Sequence, residues 1–307
     1  MHFTRRHPLM RRAAVAQRRL GRLPPTIKGM LWSAAAGGIF VLLNACMRQL
    51  SLDLNAFQTQ FLRYLMGLVV MMPLVLRTGS ASLWPVSPGG QFMRGAVHTL
   101  GLLVWFAAVP HITLADTTVM GFTTPIFIML GAAVFLAEPM RWSRWVAAGL
   151  GMTGVLIVVG PRLTGEGGLY LLIMLCSSPL YAVSFLLTKA LTRYERPAVI
   201  VLWQSITVTI LSLPLAVAVW QWPTPMQWAA FLVCGILGSG GHYCLTRSYV
   251  AVDISATQSI KFLELVWAAA LGWLAFGDTL SGWTVVGGLV ICASTIWIAR
   301  REARATT

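Results

Sequence analysis

The sequence predicts an all-α polytopic membrane protein: ten transmembrane helices, arranged as two inverted five-helix repeats with both termini in the cytoplasm. Three observations predict it. Only 10% of the 307 residues are charged while 57% are hydrophobic, against about 25% charged in an ordinary soluble domain. The apolar residues fall in blocks of 17 to 25, the length needed to cross a hydrocarbon core of ~30 Å at ~1.5 Å per helical residue. The two halves also match each other in order. The period-two alternation of a membrane barrel is absent from the pattern.

Taken in order, residues 1–28 (MHFTRRHPLMRRAAVAQRRLGRLPPTIK) are Arg-rich and acid-free. They read as a cytoplasmic arm lying on anionic lipid, a transit peptide or long leader being the alternative. Ten spans follow, at 29–47, 55–76, 92–110, 115–137, 143–160, 168–189, 197–220, 226–247, 254–276 and 281–299. The seventh and eighth share one uncharged run of 50 residues from Pro197 to Thr246, divided by the turn-forming WQWPTPMQW, whose tryptophans suit a membrane interface. Residues 301–307 form a short cytoplasmic tail. With the N-terminus inside, 19 Lys and Arg fall on cytoplasmic segments, Arg94 among them; Arg48 and Arg162 are outside, and Arg63 and Lys261 lie within spans. This asymmetry orients the chain. It also explains the pI near 10.6 without nucleic acid as a partner. The five cysteines all sit in apolar blocks without a C-x-x-C pair, which points away from disulfides and zinc.

The repeat boundary divides residues 29–163 from 164–300. FLRYLMGLVVMMPLVL from Phe61 aligns with LWQSITVTILSLPLAV from Leu202 at an offset of 141, pairing Pro73 with Pro214 and Arg63 with Gln204. LADTTVMGFTTPIFIMLGAAVFLAEPM from Leu114 aligns with ISATQSIKFLELVWAAALGWLAFGDTL from Ile254 at 140, setting Pro125 against Leu265 and Glu138 against Asp278. Five spans per half is an odd number, so the second half enters from the opposite side. Inverted repeats frame a binding site near the midplane, the logic of a secondary transporter.

The stretch TLADTTVMGFTTPIFIMLGAAVFLAEPMRW, followed by GLGMTGVLIVVGP, resembles the signature of the EamA family in the drug/metabolite transporter superfamily. FLELVWAAALGWLAFGD and WTVVGGLVICASTIWI repeat it. The resemblance covers roughly residues 29–300 and implies a bacterial inner-membrane protein. Such a protein moves amino-acid-, nucleoside- or vitamin-like solutes, or drugs, by alternating access around a central cavity. Leu265 departs from the family's second proline and Asp278 from its glutamate, which leaves open whether the ninth span bends as the fourth should.

Within the spans, ionisable residues are costly and mark function or bracing. Glu264 lies ten residues into the ninth span, ~15 Å deep and near the midplane, with Lys261 at ~10 Å. Three residues apart, they share a helix face and can neutralise one another, and a substrate or proton site is expected there. Trp105 and Tyr181 fall mid-span in helices resembling those that line the family's cavity. His242 lies beside Gly240 and Gly241 and can titrate near neutral pH, whereas His98 is expected near the inner interface. Arg63 and its repeat mate Gln204 are read as braces. Glu138 and Asp278 oppose the dipole at helix C-termini and need partners such as Arg141 or Arg144. Pro125 removes one mid-span backbone hydrogen bond. No cofactor is called for, coupling to a proton gradient and homodimerisation stay open, and lipid is the surrounding partner. The competing reading is a membrane-embedded enzyme on a lipid-linked substrate, disfavoured because nine acidic residues form no catalytic grouping.

Overall fold

The computed structural model describes residues 23–108, 111, 121–139, 141–159, 168–276 and 282–304, and every regular element among them is helical. In chain order these are α1 (Pro25–Asp53), α2 (Ala56–Thr78), a single turn at Ser80–Leu83, α3 (Pro88–Ala108), α4 (Thr124–Phe135) and α5 (Trp142–Val159). The second half supplies α6 (Gly168–Leu191), α7 (Pro197–Ala218), α8 (Pro225–Ala251), α9 (Ile254–Lys261), α10 (Leu263–Phe276) and α11 (Gly282–Arg304). Proline opens α1, α4, α7 and α8 in the first turn, where its missing N–H has no intrahelical partner to lose. Asn55 caps α2 through the Phe57 amide, and Thr224 with Gln227 forms a reciprocal capping box on α8.

Among the described residues, six helices are long and apolar enough to cross a membrane by length and composition: α1, α2, α7, α8, α6 from Leu172 and α11 to Arg301. The short ones have a cause. The ninth span, expected as one helix over 254–276, is interrupted at Phe262, which splits it into α9 and α10 without a proline. The fourth shows the same turn at Phe122–Thr123, and residues 115–120 of that span lie outside the described residues. Pro125 therefore occupies the first turn of α4 rather than a mid-helix kink.

Packing follows the repeat. If α1 to α5 correspond to α6, α7, α8, the α9–α10 pair and α11, then the contact of α1 with α8 has its mate in α6 with α3. Likewise α2 with α8 matches α7 with α3, and α4 with α6 matches α10 with α1, while α2–α7 and α5–α11 map onto themselves. Glycines permit close approaches at corresponding positions. A Cβ on Gly95 of α3 would come within 2.4 Å of Thr207 on α7, and one on Gly235 of α8 within 2.6 Å of the Met66 backbone on α2. Phe122 and Phe262, equivalent at the offset of 140, meet each other directly with ring centroids 5.5 Å apart. They anchor an apolar cluster with Met129, Val155 and Ile291.

Candidate functional site

Four helices converge on a buried cluster of rings and cations. α2 contributes Arg63 and Tyr64, α3 His98, α6 Tyr181, Ser184 and Phe185, and α8 His242; Phe40 of α1 closes one side. His98, only 4% exposed, is held from both ends: one ring nitrogen meets the Tyr64 hydroxyl at 3.0 Å and the other the Ser184 hydroxyl at 3.2 Å. Its ring lies edge-on to Tyr181 at 5.4 Å and to His242 at 5.8 Å. The expectation of an interfacial His98 is thus corrected. It sits ten residues into α3, where Gly101 lets that helix press against Leu180 and Tyr181.

His242 touches Phe40 at 5.1 Å and Tyr64 at 6.5 Å. It is 6% exposed, and its Nε2 has no hydrogen-bond partner. Arg63 lies over the Tyr64 ring, 4.7 Å from the centroid, with its buried Nε likewise unpartnered. Gly238, one turn before His242, faces it: a Cβ there would come within 3.3 Å of Arg63 Nε. Lys261 enters from α9 with its ammonium 5.1 Å from the Phe185 ring centroid.

The expected ion pair between Lys261 and Glu264 does not form. The interruption at Phe262, whose own torsions stay right-handed helical, falls between them; the Lys261 ammonium lies over the Phe185 ring of α6, and Glu264 packs on Gly37 of α1, whose Cβ would lie 3.1 Å from its Cγ. Arg63 does not reach Glu264 either, and among the described residues the ion pair is Arg144–Asp253. Of the other residues singled out by sequence, Tyr181 joins the cluster. Trp105 makes its ring contact with Phe106 at 4.9 Å instead. Asp278 lies outside the described residues.

Bracing falls to a residue that sequence reading treated as a loop charge. Arg94, 1% exposed in α3, donates to the Thr188 hydroxyl of α6, to the Ile200 carbonyl at 3.0 Å and to Gln204 Oε1 at 2.6 Å, both on α7. Gln204 is therefore a brace as expected, but through Arg94. It is the seventh residue of α3 but only the third of the span expected from sequence, which is why sequence reading places it with the cytoplasmic charges. Arg63, expected to brace, makes no such bonds.

At the end of the bundle where α4, α6 and α8 finish, Glu138 caps α9. Its carboxylate accepts from the Ile254 amide at 2.8 Å, the Ser255 amide at 3.1 Å and the Ser255 hydroxyl. The dipole of α9 stabilises it, and Arg144 meets it through the shared Ser255 hydroxyl. Arg144 bonds Asp253 at 2.9 Å and Ser255 at 2.7 Å, and Lys189 bonds the Tyr249 and Val252 carbonyls at 2.6 Å each. Ala137, at φ 54°, takes a left-handed conformation that folds the Glu138 amide back on the Ala132 carbonyl. A cleft of about 340 Å³ opens beside this latch, lined in part by Glu138, Lys189 and Asp253.

Comparison with known proteins agrees with this architecture. The profile of the EamA-like transporter family matches residues 27–160 and again 168–300. A riboflavin transporter of Rhizobium johnstonii is 33% identical over 281 residues, covering 91% of this chain and 93% of that protein. An S-adenosylmethionine uptake transporter of Rickettsia felis is 26% identical over 258 residues, covering 84% and 87% respectively. A solved crystal structure superposes with a TM-score of 0.77 over 92% of this chain and 98% of the other at 17% identity, a likeness of fold.

Proposed function

The chain belongs to the EamA-like transporter family, and from that premise we propose that its substrate is a flat, ring-bearing organic solute held in the central cluster. The protein is a membrane transporter of small molecules. The observation that carries the substrate class is the cluster itself, in which six aromatic or imidazole rings and two cations from both repeats meet. Rings recognise rings by stacking and edge contacts. The solutes named for the two relatives, riboflavin and S-adenosylmethionine, both contain a fused nitrogen heterocycle.

Ten spans, two inverted repeats and cytoplasmic termini complete the proposal, supported by the 19-to-2 distribution of Lys and Arg. Alternating access exposes the cluster to each side in turn, with the Glu138 latch closing the cytoplasmic end. Lys261 and Glu264, separated by the Phe262 turn, flank the route from that end, and Glu264 is placed to exchange a proton as the site empties. The test is uptake of labelled riboflavin, S-adenosylmethionine and an aliphatic amino acid into proteoliposomes, with and without a pH gradient. Movement of the aliphatic solute alone would remove the ring-bearing class. A reporter fused after Thr307 that is active only outside the cytoplasm would remove the ten-span topology.

A further inference from the structure

We infer that Arg63 and His242 form the polar end of the substrate site and hold the oxygen acceptors, ring carbonyls or a carboxylate, of the solute whose rings the cluster embraces. The inference rests on the transport reading above and specifies the chemistry of its substrate. A guanidinium is always charged and offers five donors and no acceptor, so burying it without an acceptor is costly. This fold satisfies a buried arginine when the arginine serves to hold helices: Arg94 reaches three acceptors. Arg63, half-buried with its Nε enclosed, has none among the described residues, and faces the ring of Tyr64 and the bare backbone of Gly238.

His242 repeats the pattern one helical turn away on α8, on the same face as Gly238. Its neighbour His98 has both nitrogens engaged, by Tyr64 and Ser184, whereas His242 Nε2 is buried among rings with no partner. Other buried side chains carry an unpartnered atom, but these are neutral glutamine amides and the Thr209 hydroxyl. Arg63 and His242 both border the Tyr64 ring, and they come from opposite repeats. A solute bridging them is gripped by both halves at once, which a solute recognised through its rings alone need not be.

The experiment measures KM and maximal rate in proteoliposomes for labelled riboflavin, whose acceptors are ring carbonyls, and for labelled S-adenosylmethionine, which carries a carboxylate. Wild type is compared with Arg63→Met, Arg63→Lys and His242→Phe at matched protein content. The expected result is a KM raised roughly tenfold or more by Arg63→Met, as for loss of a charge-assisted hydrogen bond. Arg63→Lys should recover part of it, and His242→Phe should show a rise of several-fold. The probe whose KM responds identifies the acceptor. Unchanged KM values for a probe that wild type transports would overturn the subsite while leaving the transport reading intact. Failure of Arg63→Met to accumulate in the membrane would overturn it too, by making Arg63 a brace. Failure of wild type to move either ring-bearing probe would remove the substrate class and the subsite together.

Discussion

Arg94 and Arg63 occupy comparable places in the two-repeat frame, and the fold treats them oppositely. Arg94 sits on α3 and reaches Gln204 on α7; Arg63 sits on α2 against α8, at the position that corresponds to Gln204 itself. One interface has both an arginine and an acceptor. The other has an arginine and, opposite it, Gly238. Duplication supplied the same helix pair twice, and one copy closed its polar groups while the other left them open. Among the ionisable groups, the saturated ones, including Glu138, Arg144 and Lys189, join helices, whereas Arg63 and His242, each with an unpartnered buried nitrogen, gather at the centre. Satisfaction of hydrogen-bonding capacity, more than charge, separates scaffold from site.

The contrast makes ordered predictions. Arg94→Met should have the largest effect on stability, because it leaves the buried Gln204 amide without a partner and takes a donor from Thr188 and the Ile200 carbonyl; at about 1–3 kcal/mol per orphaned buried group, the yield of folded protein should fall clearly. Detergent-extracted yield and melting temperature measure this, and a wild-type melt would refute the assignment of Arg94 as a brace. Next comes Glu138→Ala, which uncaps α9 and should cost about 1–2 kcal/mol, seen as a lower melting temperature. Ala137→Gly should act in the opposite sense, raising stability by about 1 kcal/mol as the left-handed backbone loses its penalty. Last, Arg63→Met should leave the melting temperature near that of wild type or above it, since no protein acceptor is lost. A large fall would erase the difference between the two arginines.

Much of the frame was legible in sequence. Block length and the near-constant offset are local and additive signals, so the helices and the two-repeat plan follow from reading along the chain. What escaped was tertiary. The turn at Phe262 has no proline to announce it; its motive is the packing of Phe262 on Phe122 and into the gap left by Gly151. Because that turn was invisible, Lys261 and Glu264 were expected to pair, whereas among the described residues they make no direct ion pair and Lys261 lies over Phe185. Arg94 and Arg63 look alike in sequence, each a lone cation in an apolar stretch. Only Gln204, 110 positions away from the first, reveals which of them is bonded. Glu138 was recognised as needing a partner, but the partner proved to be a helix start 116 residues on.

The Phe122–Phe262 contact has a kinetic consequence. It joins two residues that occupy the same place in their respective halves, so exchanging the conformations of the halves returns the contact to itself. An interaction that is identical in both facing states contributes equally to each and has no vote in which is populated. Weakening it symmetrically, as in the double variant Phe122→Leu with Phe262→Leu, should change inward and outward movement by the same factor. The Glu138 cap joins residues that are not equivalent, so it does vote: Glu138→Gln should change the ratio of the two directions. Transport measured from both faces of the membrane distinguishes a balanced change from a tilted one, and a tilt in the double variant would mean that the pair is not the axis about which the halves trade places.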